Sequence, residues 1–177
     1  MPMKTLYLMR HAHCPVAYDL RDSQRPLSVK GHAQAKFIGT FMAQNGHAPS
    51  EVLCSTAVRV QETLASLRQT ADLHLQQDSI HAKDILYNGS TGDYLHALQS
   101  LPDTCNSAIL IGHNPVIPAL VTFLCDEDKS VPALYQSLIS YYTPATLTQL
   151  TCPIDHWKDL APYKNALTTV TQPEPAA

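Results

Sequence analysis

Leu6-Tyr7-Leu8-Met9-Arg10-His11-Ala12 is the stretch whose reading decides the fold. The unbroken apolar run from Leu6 to Met9 has the pattern of a buried strand from a sheet covered on both faces. The strand, expected over about Thr5 to Met9, ends on an arginine and a histidine side by side. In open α/β sheets, ligands bind in the crevice outside the carboxyl ends of the strands. A second strand of the same kind, Ala108 to Ile111, runs into Gly112-His113-Asn114-Pro115. Two strands that each deliver a histidine at the tip are hard to explain by packing alone.

The intervening sequence supplies helices. Ser28 is an expected N-cap for a helix through Ala33, Phe37, Ile38, Phe41 and Met42, stopped by Asn45-Gly46. Val52-Leu53-Cys54 reads as a short strand. From Thr56 a helix carries Ala57, Val60, Leu64, Leu67 and Ala71 on one stripe. Residues 74–93 are loop-rich and ambiguous, with Asp93 as a candidate cap for a helix from Tyr94 to Leu101. Asn114 and Pro115 suit the start of a helix to about Cys125. Leu138 to Tyr142 and Ala145 to Thr151 read as strands. Alternating strands and helices predict a three-layer α/β/α sandwich with a mostly parallel central sheet. Residues 1–165 are expected to form a single domain, and 166–177 a disordered tail.

Composition bounds the partners. The chain has 177 residues, 45% hydrophobic and 15% charged, with a net charge of −3. That balance gives no electrostatic case for nucleic-acid binding. No apolar run approaches the roughly 20 residues that cross a bilayer, and the N-terminus reads as lacking a secretory signal. A cytoplasmic protein without membrane association is expected. Cys14, Cys54, Cys105, Cys125 and Cys152 lack zinc-knuckle or redox-pair spacing and read as reduced thiols. Cys14, three residues after His11, reads as a bystander. His32, His47, His74, His81, His96 and His156 are scattered and read as surface residues.

The chemistry concentrates in a few positions. A neutral imidazole such as His11 is a nucleophile that accepts a phosphoryl group. Arg10 offers a planar fork that matches phosphate oxygens. Arg59 falls in the first turn of its helix and off the apolar stripe, where a cation conflicts with the helix dipole unless an anion binds. His113, as a cation beside another helix start, would gain from the same anion. Taken singly, each has an ordinary alternative, such as a solvated arginine or a turn histidine.

Together, Arg10-His11-Ala12, Ser55…Arg59…Thr63 and Gly112-His113-Asn114-Pro115 resemble the phosphoglycerate-mutase-like histidine phosphatase superfamily. Arg25-Pro26-Leu27-Ser28…Gly31 resembles the small phosphohistidine phosphatase, SixA-type, branch. The ordered landmarks run from about Lys4 to Cys125, with a vaguer match beyond. The resemblance implies that His11 becomes phosphorylated and that Arg10, Arg59 and His113 surround the phosphoryl oxygens. It further implies hydrolysis of the phosphohistidine by water, with no metal and no cofactor. Arg25 and Asn114 are candidate substrate contacts, Arg25 having a structural salt bridge as its alternative. The chain departs from the wider family in placing His13 and Cys14 after Ala12. It also lacks a glutamate between Ile80 and Asp93, where the general acid is expected. Asp84 is the nearest candidate by spacing, with Asp93 next.

A weak or missing acid bears on the substrate. An alkoxide needs a proton to leave, whereas a phosphorylated imidazole carrying a proton on its other nitrogen departs as a neutral ring. A phosphohistidine-bearing protein is therefore the expected substrate. The alternatives are a small-molecule phosphomonoesterase of the same fold, a non-catalytic phosphate- or phosphoprotein-binding module, and a metal site on His11 and His13.

Overall fold

In the computed structural model, which describes residues 3–71 and 77–173, the elements follow one another in a largely alternating order. They are β1 (Lys4–Arg10), α1 (Val29–Gln44), β2 (Glu51–Ser55), α2 (Val58–Arg68), β3 (Ile80–Lys83), α3 (Ile85–Asn88), α4 (Thr91–Gln99), β4 (Ser107–Gly112), α5 (Val116–Leu124), α6 (Pro132–Ser140), β5 (Leu147–Cys152) and β6 (Ala166–Thr171). The sheet order is β3-β2-β4-β1-β5-β6. β3, β2, β4 and β1 run parallel, while β5 and β6 join antiparallel at the β1 side. The predicted mostly parallel sandwich is what forms.

Alternation along the central strands builds two cores. Leu6, Leu8, Leu53, Ala108 and Leu110 face one cluster, with Leu98 of α4 and Ile117, Leu120 and Val121 of α5. Tyr7, Met9, Val52, Cys54, Ile109 and Ile111 face the other, with Ile38 and Met42 of α1 and Val60, Leu64 and Leu67 of α2. Both faces of these strands are therefore dry, which explains their continuous apolar sequence.

Local signals fix the loops that matter. Ser28 caps α1, its Oγ accepting the Gly31 amide at 3.0 Å. Gly31 is required for a second reason: a Cβ there would collide with the His13 carbonyl oxygen. The expected stripe of α2 is buried from Ala57 to Ala71.

Several expectations are corrected. Residues 80–83 and 85–88, within the ambiguous stretch, form β3 and α3. β3 is a four-residue edge strand with no fully buried residue, so it carries little apolar periodicity. Ser90 caps α4, with Asp93 three residues on closing a capping box. Pro115, rather than Asn114, precedes the first residue of α5. Residues 138–140 belong to α6, not to a strand; Leu134 and Leu138 meet the core at helical spacing and Pro132 starts the helix. The segment 166–177, expected as a tail, opens with β6, whose Leu167 is fully buried and whose register pairs Leu150 with Leu167. His74 lies outside the described residues. Among the described residues, no helix is long and apolar enough to cross a membrane.

Candidate active site

The parallel strands end at one rim of the sheet. β1 brings Arg10 and then His11; β4, paired so that Arg10 lies opposite Gly112, brings His113 to the same level. The His11 amide donates to the Gly112 carbonyl at 2.9 Å, and the two imidazole centroids stand 5.3 Å apart. β2 contributes Ser55 and leads into α2, whose first turn carries Arg59. Thr63, one turn further, accepts the Ala12 amide at 3.1 Å and donates to the Arg59 carbonyl at 2.6 Å. α3 adds Tyr87 and Asn88 from the next strand end.

Arg10, His11, Arg59, Tyr87, Asn88 and His113 line an open pocket of about 360 Å³, together with Cys14, Asp22, Arg25 and Asn114. Five of the sequence-predicted positions besides His11 therefore converge: Arg10, Arg25, Arg59, His113 and Asn114. Asp84 does not line it. Its carboxylate accepts the Thr56 hydroxyl at 2.6 Å outside the pocket. His13 turns toward a neighbouring pocket with Lys30, Gln34 and Tyr141, its Nδ1 2.7 Å from Ser28 Oγ. His11 and His13 thus serve different pockets rather than one metal site.

Hydrogen bonding fixes the tautomers. His11 Nδ1 lies 2.8 Å from the Ala12 carbonyl, which only accepts, so Nδ1 carries the proton and Nε2 keeps its lone pair. His113 Nδ1 faces Arg59 Nη2, a donor, at 3.4 Å, and His113 Nε2–H donates to Ser55 Oγ at 2.9 Å. Burial pushes the His11 imidazole down to about 4, with Arg59, Arg10 and Arg25 adding to it. Burial likewise takes His113 to about 3, helped by His11 and Arg59. Both rings are neutral at physiological pH. Three arginines, Arg10, Arg25 and Arg59, bring positive charge to the pocket.

Arg10 Nη1 donates to the Tyr142 carbonyl at 2.7 Å. Arg59, although 5% exposed, lies in the first turn of α2, and its Nη2 donates to Asp22 Oδ2 at 2.9 Å. Arg10 and Arg59 each bury an Nε–H that has no protein acceptor. Orphaned donors of this kind are rare in folded proteins and mark a place where an acceptor belongs. Arg25 makes the structural salt bridge, with Asp22, that was its alternative. It faces the pocket while its Nε and Nη2 clasp Asp22 Oδ1 and its Nη1 donates to the Pro15 carbonyl.

Asp22 and Tyr87 are the residues that sequence reading undervalued. The Tyr87 hydroxyl donates to Asp22 Oδ2 at 2.7 Å, and its ring stands against His113 and under Arg59. That phenol, then Arg25 and Arg59, holds the Asp22 carboxyl well below the usual carboxylate range. Asp22 is the one carboxylate among the described residues lining the pocket. Its only local signal is Arg25 three residues on. The partners that matter lie 37 and 65 residues away.

The family model of the histidine phosphatase superfamily (branch 1) matches residues 6–80. A candidate phosphohistidine phosphatase SixA from Nakamurella multipartitia is 29% identical, with 98% of each chain covered and a TM-score of 0.80. A second such candidate, from Agrobacterium tumefaciens, is 26% identical over 96% of this chain and 98% of that one, with a TM-score of 0.78. A phosphoglycerate mutase from Plasmodium falciparum shares the fold at 15% identity, with a TM-score of 0.60 over 100% of this chain and 98% of that one.

Proposed function

This chain belongs to the histidine phosphatase superfamily, in its SixA-type branch, and from that premise we propose that it hydrolyses phosphohistidine on a protein substrate through a phosphoryl intermediate on His11. The observation that carries the reading is the His11 tautomer: Nδ1–H is tied to the Ala12 carbonyl, leaving Nε2 as the nucleophile beside three arginines.

In the first step the Nε2 lone pair attacks phosphorus. The P–N bond to the substrate breaks, and its electron pair goes to the substrate imidazole, which leaves as a neutral ring because its other nitrogen holds a proton. Arg10, Arg25 and Arg59, which line the pocket, bind the phosphoryl oxygens. In the second step water attacks phosphorus, the bond to His11 Nε2 breaks with its electron pair returning to Nε2, and both protons of water leave with inorganic phosphate. His113, held neutral first by burial and then by His11 and Arg59, packs against the His11 ring and fixes its orientation. Asn114 lies where it can reach the substrate.

The choice of a nitrogen leaving group rests on what lines the pocket. Asp84 is outside it and Asp22 is ionised, so neither lining carboxyl chemistry nor spacing offers a proton for an alkoxide. The catalytic domain of this proposal includes β6 and so extends past residue 165.

The test is a steady-state assay in excess chelator that compares a phosphohistidine peptide, p-nitrophenyl phosphate and a sugar phosphate, with His11→Ala alongside. The expected result is preference for the phosphohistidine peptide, an acid-labile and alkali-stable phosphoryl label on the wild-type protein, and neither turnover nor label in His11→Ala. Preference for the sugar phosphate would favour the small-molecule reading. Retained turnover in His11→Ala would overturn the mechanism.

A further inference from the structure

An anionic side chain at a phosphate pocket is an electrostatic liability, and Asp22 is held there with care. Both of its carboxylate oxygens are engaged: Oδ1 by Nε and Nη2 of Arg25, and Oδ2 by Arg59 Nη2 and the Tyr87 hydroxyl. Its backbone carbonyl accepts Arg59 Nη1 at 2.6 Å. The side chain nevertheless remains half exposed, at 52%, so it sits at the mouth rather than the floor. The floor belongs to the nearly buried Arg59 and His113. A substrate entering phosphoryl-first meets the arginines with its phosphate and leaves its other end beside Asp22.

That other end differs between substrate classes. An alkyl or aryl phosphate presents an ester oxygen with no hydrogen. Phosphohistidine presents an imidazole whose second nitrogen bears an N–H and, in the reactive form, a shared positive charge. Resting on the reading given under Proposed function, we propose that Asp22 determines leaving-group specificity: its carboxylate accepts the N–H of the substrate imidazole while the arginines hold the phosphoryl group. Arg59 Nη2 passes from Asp22 to a phosphoryl oxygen as substrate binds, and the Oδ2 it releases turns to the imidazole. Arg25 and Tyr87 keep the carboxylate in place. By holding the proton on the distal nitrogen, Asp22 lets the P–N bond break to a neutral ring. The same carboxylate gives an ester nothing, because it has no proton to donate.

The experiment is Asp22→Asn in the full chain, assayed on a phosphohistidine peptide and on p-nitrophenyl phosphate, whose leaving group needs no proton and offers no N–H. Expected is a fall of about 10- to 100-fold in the ratio of kcat/KM for the peptide to kcat/KM for p-nitrophenyl phosphate, the size of one charge-assisted hydrogen bond. Asp22→Glu should restore part of the ratio. An equal loss on both substrates would overturn the proposal, leaving Asp22 as a brace for Arg59. An equal gain on both would also overturn it, leaving Asp22 as a competitor of phosphate for Arg59. A wild-type protein that turns over p-nitrophenyl phosphate but not the peptide fails earlier, at the proposed function itself, and takes this proposal with it.

Discussion

Thr63 Oγ1 stands 3.1 Å from the Ala12 amide nitrogen and 2.6 Å from the Arg59 carbonyl, so one buried hydroxyl joins the chain after His11 to the helix that carries Arg59. Replacing it with isosteric valine strands the Ala12 N–H. Thr63→Val should lose about 1–3 kcal/mol of stability, read from the urea midpoint, and lower kcat. Thr63→Ser, which keeps the hydroxyl, should behave close to wild type.

Arg59 presents a fork rather than a point charge: Nη1 and Nη2 reach Asp22, and Nη2 also faces His113. Lysine retains the charge but cannot span two oxygens. Arg59→Lys should reduce kcat/KM by about 100-fold or more, in the range found when one transition-state donor is removed. Steady-state kinetics with unchanged circular dichroism would check it.

The neutral imidazoles have a pH signature. Histidine ordinarily titrates near 6.5, whereas His11 is lowered to about 4 and His113 to about 3, burial being the first cause of each. Side-chain 15N spectra at pH 5.5 should still show two neutral rings, with His11 protonated on Nδ1. The stability consequence has a definite sign. Between pH 6.5 and 4 the unfolded chain takes up protons that these folded rings refuse, so stability present at pH 7 is lost as pH falls through that window. His113→Gln should flatten the fall in urea midpoint between pH 7 and 4.5.

Gly31 is set by contact rather than by backbone freedom. A methyl group there would meet the His13 carbonyl, which Ser28 N–H also uses at 3.0 Å. Gly31→Ala should cost about 1–3 kcal/mol, as overpacking does, and slow turnover by shifting the chain beyond His11. Thermal or urea denaturation against wild type would measure it.

What could be read from the sequence followed from how each residue is held. The buried strands β1 and β4 carry their apolar pattern locally, and the residues at their tips were legible as a pair. The stripe of α2 was legible for the same reason, Ser28 through its capping chemistry, and Gly31 only through the family resemblance. β3, at the sheet edge with no fully buried residue, had no such pattern. β6 was lost because the β-like residues Thr168 to Thr171 lie half out of the core, leaving Leu167 as the lone fully buried position. In the pocket, Asp22 and Tyr87 acquire meaning only through partners brought together by folding. Asp84 drew attention by spacing alone, and Thr56 holds its carboxylate away from the pocket.

The pairing of Arg10 with Gly112 across β1 and β4 makes the sheet a ruler for His11 and His113, since sliding either strand by one residue would turn every side chain to the opposite face. Asp22 and Arg25 answer to no such ruler. They hang from a surface loop tied to the domain through Asp22, which accepts from Arg59 and Tyr87, and through the Leu27 amide, which donates to Glu62. Arg10, His11 and His113 are thus fixed by the most constrained part of the molecule, and Asp22 and Arg25 by a surface loop. On the proposal for Asp22, an exchange of residues 16–24 between relatives, which leaves Arg25 in place, would change the choice of leaving group without touching the register of His11 and His113.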